Sequence, residues 1–70
     1  MKPSGDSIYL ASRINERWDS SSLTPAALQK LVNVYGAREV EDALRELYGF
    51  PPAEEVRSPY PYLEAILRGE

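Results

Sequence analysis

A single glycine set between two helical repeats constrains this chain most. Apolar residues recur at Leu28, Leu31, Val32 and Tyr35, stop at Gly36, and resume at Val40, Ala43, Leu44 and Leu47. Both runs keep the spacing that lays one apolar stripe along a helix. Thr24 followed by Pro25 is a start signal, because Thr24 can cap exposed N–H groups and Pro25 at the first helical position loses no hydrogen bond. Gly49 follows the last periodic residue, and a left-handed conformation is expected there as at Gly36. The stretch therefore predicts helices over 25–35 and 37–48, with Glu41 and Arg45 as a favourable i, i+4 pair.

The rest of the chain is read against this pair. Residues 1–6 are polar, contain Pro3 and Gly5, and are expected to form a flexible end. Asp6 or Ser7 can cap a first helix over about 7–18, with Ile8, Ala11, Ile14 or Asn15, and Trp18 on its buried side. Asp19 to Ser22 is a polar breaker, and Leu23 can pack as a staple near Leu28. Past Gly49, Phe50, Pro51 and Pro52 cannot extend the helix. Residues 53–56 have room for one turn. A last helix over about 60–68 starts at Pro59 or Pro61 and carries Tyr62, Leu63, Ile66 and Leu67. No strand pattern is present.

The expected fold is all-α: one domain over 7–70, a bundle of four short helices, each packed beside the previous one. Its expected core is Ile14, Trp18, Leu28, Leu31, Val32, Tyr35, Val40, Leu44, Leu47, Leu63, Ile66 and Leu67.

Composition narrows the function. Seventy residues carry neither Cys nor His. No thiolate metal site or disulfide can form, and the usual general base is missing. Ser20, Ser21 and Ser22 have no base nearby in sequence, so nucleophilic catalysis is unsupported. No enzyme, cofactor or metal is expected. No apolar run is long enough to span a bilayer and no signal peptide is visible, so a soluble, cytoplasmic protein is expected. The net charge of −3 falls as neutral over residues 1–24, −1 over 25–49 and −2 over 50–70. A phosphate-tracking surface is basic, and this chain has no long basic stretch.

Three constellations are candidates for binding. The two central helices could form a DNA-reading helix-turn-helix, but the second would present Glu39, Glu41 and Asp42 where a groove reader carries Arg, Lys, Asn or Gln. A plain helical corner is the alternative. Glu39, Glu41, Asp42 and Glu46 form an acidic face, and Glu54 and Glu55 add a second cluster. An ordinary solvated face explains it, and so does a site for a basic partner. Among the rings, Tyr35 and Tyr48 fit core positions. Trp18 at a helix end and Tyr60 between two prolines are the rings expected at the surface. Trp18, Tyr60, Tyr62, Glu39, Asp42 and Glu46 are the candidate partner-binding residues.

Tyr35-Gly36, Val40, Ala43-Leu44, Pro59 and Tyr62-Leu63-x-x-Ile66-Leu67 resemble the C-terminal helical module of DnaD-like replication proteins and of related phage and plasmid modules. The closing helix of that family carries a Tyr, an aliphatic residue, two variable positions and Ile-Leu. The resemblance spans residues 31–67, about half of the chain. The family's Asn-Lys-rich connection is replaced here by residues 50–58 with Glu54 and Glu55, and its following Trp and DNA-contacting tail are missing. The resemblance implies a helical fold and a place in replication or phage assemblies more than it implies DNA contact. A second similarity, to three-helix ubiquitin-associated modules, rests on Ala43-Leu44 and glycine-ended helices, without the Met-Gly-Phe-type loop.

The expected function is a non-enzymatic protein-interaction module that docks on a larger replication or transcription machine. The alternatives are a nucleic-acid-binding domain using Arg13, Arg17, Lys30 and Arg38, and a structural dimerisation element.

Overall fold

A computed structural model describes residues 2–50 and 58–69. The turn expected over 53–56 and the Glu54, Glu55 pair lie outside the described residues. Four helices follow one another: α1 (Gly5–Arg17), α2 (Pro25–Tyr35), α3 (Ala37–Tyr48) and α4 (Tyr60–Arg68). Among the described residues there is no strand, and the chain is a small all-α bundle.

Helix α3 is the hub and packs against each of the other three. Val40, Ala43, Leu44 and Leu47 point inward and are buried. They meet Ala11, Ile14 and Trp18 from the first helix and its cap, Leu28, Leu31 and Val32 from α2, and Leu63 from α4. Tyr35, Ile66 and Leu67, expected in the core, are partly buried along its edge. Consecutive packing holds for α2 on α3 and α3 on α4. It fails for α1, which packs chiefly on α3 and not on α2.

Gly36 lies between the two helices as the C-cap of α2 and the N-cap of α3. Its N–H donates to the Val32 carbonyl at 2.8 Å, and its own carbonyl accepts from Val40 N–H at 3.1 Å. The shared position requires φ 94° and ψ 152°, a region open in practice to glycine alone. No atom lies within 4 Å of where a Cβ would stand, so the constraint is the backbone and not space. The left-handed conformation expected at Gly49 is not found: its φ is −74°, and Gly69 is the glycine that closes a helix in the left-handed region, at φ 82°.

Helix α1 begins earlier than expected. Ser4, not Asp6 or Ser7, is its cap, and the Ser4 hydroxyl accepts from Ser7 N–H at 3.1 Å. The Ser4 and Ser7 hydroxyls lie 3.0 Å apart, and Ser4 reaches Glu41 of α3 at 2.6 Å. A hydroxyl has one proton and a carboxylate is the stronger acceptor, so Ser4 donates to Glu41 and Ser7 donates to Ser4. This network explains why Ser7 is fully buried while Ile8, expected inside, is 50% exposed. The inward stripe runs Ser7, Ala11, Ile14, Trp18.

The Thr24 cap behaves as expected, its hydroxyl accepting from Ala27 N–H at 3.1 Å. Leu23 and Leu28, the expected staple, are both buried in the core. At α4, Pro59 already has helical dihedrals, φ −75° and ψ −15°. Pro59 is the cap residue and Pro61 lies in the first turn, so neither proline takes the first helical position, which is Tyr60; the Ser58 hydroxyl accepts from Tyr60 N–H at 3.4 Å.

Candidate functional site

Helical periodicity divides α3 into two surfaces. With Val40, Ala43, Leu44 and Leu47 turned inward, Glu39, Asp42 and Glu46 share one outer stripe at the edge facing α4. They line a groove of about 130 Å³ together with Ala43, Ile66 and Leu67. Among the described residues, the ion pairs join Arg13 to Glu16, Arg45 to Asp6 and Glu41, and Arg68 to Glu64; none reaches Glu39, Asp42 or Glu46. Among the described residues, no group of acidic side chains is placed to hold a metal ion.

Glu41, one position away, shows the contrast. It accepts from Ser4 at 2.6 Å and from Arg45 at 3.2 Å. These bonds stabilise the carboxylate and hold its pKa below the usual 4.5, with the Ser4 hydroxyl as the main cause and Arg45 second. Glu41, expected on the same acidic face, is thus occupied within the fold, whereas no ion pair among the described residues reaches Glu39, Asp42 or Glu46.

Trp18 was open to two readings, as a core residue and as an exposed ring, and the fold takes the first: it is only 9% exposed and belongs to the core. Its backbone N–H donates to the Ile14 carbonyl at 3.0 Å, which keeps it in phase with the inward stripe of α1. The indole meets the Tyr62 ring at 5.5 Å and a 60° tilt. Tyr60, expected outside, is half-buried against the core, because buried Pro59 anchors the start of α4. Tyr62 is partly exposed. Trp18, Tyr60 and Tyr62 thus contribute to packing, and the acidic stripe is the part of the candidate set that the fold brings together at the surface. The most exposed ring is Tyr9, at 62%. Its position off the Ser7–Ala11–Ile14–Trp18 stripe is a sequence signal for that exposure.

Arg17, a candidate phosphate contact, is committed inside the fold. It donates to the Tyr48 carbonyl at 2.6 Å, and its guanidinium lies 5.2 Å from the Tyr48 ring centre. It neutralises the C-terminal end of α3, where the helix dipole favours a cation.

A second groove, of about 620 Å³, runs between α1 and the start of α2. It follows from α1 leaning on α3. Asn15 holds the connection: its amide donates to the Leu23 carbonyl at 3.1 Å and its oxygen accepts from Leu23 N–H at 3.2 Å. Ser58 in turn donates to Ser22 at 2.9 Å, tying this loop to α4. No helix among the described residues is long and apolar enough to cross a membrane.

No protein-family model matches this chain, and no curated protein or solved structure matches it either.

Proposed function

We propose that this chain is a small non-enzymatic protein-interaction module that docks, through the α3–α4 face, on a basic segment of a larger protein. The observation that carries the proposal is the stripe of Glu39, Asp42 and Glu46, without a cationic partner among the described residues, beside Ile66 and Leu67. Carboxylates stacked on successive turns repel one another by a few tenths of a kcal/mol per pair, about 0.2–0.5. A Lys or Arg from a partner relieves that repulsion, and its apolar stem covers Ile66 and Leu67. Complementary charge also speeds the encounter and selects the partner. The DnaD-like pattern suggests the setting, a replication or transcription assembly of the phage or plasmid type working in the cytoplasm. The nucleic-acid alternative has less support: the outer face of α3 is acidic, and Arg17 is engaged with Tyr48.

The test is retention of partners from bacterial and phage-infected lysates on the immobilised chain, with nuclease present. The same measurement is made on the combined Glu39→Gln, Asp42→Asn and Glu46→Gln variant. A stoichiometric protein should survive nuclease on the wild type and be lost about tenfold or more on the variant. Equal retention on both would remove the acidic face from the proposal. Retention abolished by nuclease would install the nucleic-acid reading in its place, and self-association alone would install the dimerisation reading.

A further inference from the structure

We infer that the α1–α2 groove is a second docking site and that its occupant is a cationic amphipathic helix of a partner protein. It involves different helices from the α3–α4 face and does not depend on that face being used.

The groove is built before any partner arrives. Both hydrogen bonds between Asn15 and the Leu23 backbone fix the connection, and Ser22 is fixed by Ser20 and Ser58. A site held by the fold loses little freedom on binding. Its volume of about 620 Å³ takes several side chains, as the spaced anchors of a helix require. Ile8 of α1 and Pro25 at the start of α2 are the exposed apolar side chains that line it, over a base of buried Ala11, Leu23 and Leu28. Ile8 is half exposed.

Charge decides the occupant. Glu16 and Asp19 line the groove, and among the described residues no Lys or Arg does. Arg13 meets Glu16 at 3.5 Å, but both side chains are well exposed, and such a pair is weak enough for a partner's cation to replace. The C-terminal end of α1 adds the negative end of its helix dipole. The start of α2 offers little to an anion in return. Pro25 has no N–H, Ala27 N–H is taken by the Thr24 hydroxyl, and Leu28 N–H by the Thr24 carbonyl. A segment with aliphatic residues on one face and Lys or Arg along its edge matches every one of these features.

The probes are two synthetic helical peptides of about three turns each, one of Leu and Lys and one of Leu and Glu with the same apolar spacing. Each is titrated into the full chain while backbone amide shifts are followed. The Leu/Lys peptide should shift amides of α1 and the beginning of α2. Ile8→Ser should weaken it about fivefold. Glu16→Gln with Asp19→Asn should weaken it about tenfold, Asn being a residue that tolerates positive φ. The combined Glu39→Gln, Asp42→Asn and Glu46→Gln variant should leave these shifts unchanged. The inference is overturned if neither peptide binds, if the Leu/Glu peptide binds as tightly, or if the groove variants have no effect. Shifts confined to α3 and α4 would also overturn it while supporting the acidic face. Concentration-dependent shifts in the groove without peptide would assign it to a second copy of this chain instead.

Discussion

Helix α3 meets its neighbours through Val40, Ala43, Leu44 and Leu47, all buried, whereas the α1–α2 junction is tied by the polar atoms of Asn15, Ser20, Ser22 and Ser58. The first arrangement is non-directional: burial of apolar area holds α3 wherever its stripe finds a matching surface. The second is directional, with each bond fixing one atom at one place. Packing fills space, so α3 has close neighbours on three sides. The polar junction positions a loop without filling the space beside it, and a groove remains between α1 and α2.

Breaking the apolar side should cost most. Leu44 is fully buried at the centre of the hub. Leu44→Ala should destabilise the chain by about 2–5 kcal/mol, enough to unfold a domain of this size, as read by thermal melting. An unchanged melting temperature would mean that α3 is not the hub.

Gly36→Val comes next, at about 1–3 kcal/mol or more, because an L residue must be forced to φ 94°. A synthetic chain with D-alanine at 36 sharpens the point. Its mirror-image dihedrals fall at the edge of the β region, so it should lose much less. Equal losses would show that space and not backbone geometry limits the site.

On the polar side, Asn15→Ala leaves the Leu23 N–H and carbonyl without their partner. A cost of about 1–3 kcal/mol is expected, together with faster amide exchange at Leu23. Exchange at Val40 to Leu47 should change only as much as global stability does. If it changed first, the two regions would not be separable.

The smallest effect should be at Ser4, about 0.5–2 kcal/mol for Ser4→Ala through loss of the α1 cap. The pH dependence identifies the second bond of Ser4. Glu41 has its pKa lowered in the folded chain, so it stabilises above the usual carboxylate value of 4.5, and that contribution is lost as pH falls through the folded value. Ser4→Ala should flatten this acid dependence in melts between neutral and acidic pH. An identical slope in both proteins would mean the Ser4–Glu41 bond is not made in solution.

The expected helices at 25–35 and 37–48 match the observed bounds, because Thr24-Pro25, Gly36 and two regular stripes all act locally. The start of α1 was less legible. Ser7 and Ile8 both fit helical spacing with Ala11, and hydrophobicity alone favours Ile8. The partners that reverse the choice are Ser4 and Glu41, and Glu41 lies far away in sequence. The candidate site divides in the same way. Glu39, Asp42 and Glu46 were legible as one face, since a helix sets their spacing. Trp18 was legible as a core residue by helical spacing but not as a surface ring, and Tyr60 was not legible, since an anchored Pro59 carries it inward.

The helical class, the bounds of the two central helices, the glycine between them and the spacing of the acidic stripe all follow from residues within a few turns of one another. That α1 rests on α3, that a serine and not an isoleucine lies inside, and that a groove opens between α1 and α2 came from the assembled fold. Those outcomes depend on which surfaces meet across dozens of residues, and local spacing carries no record of that.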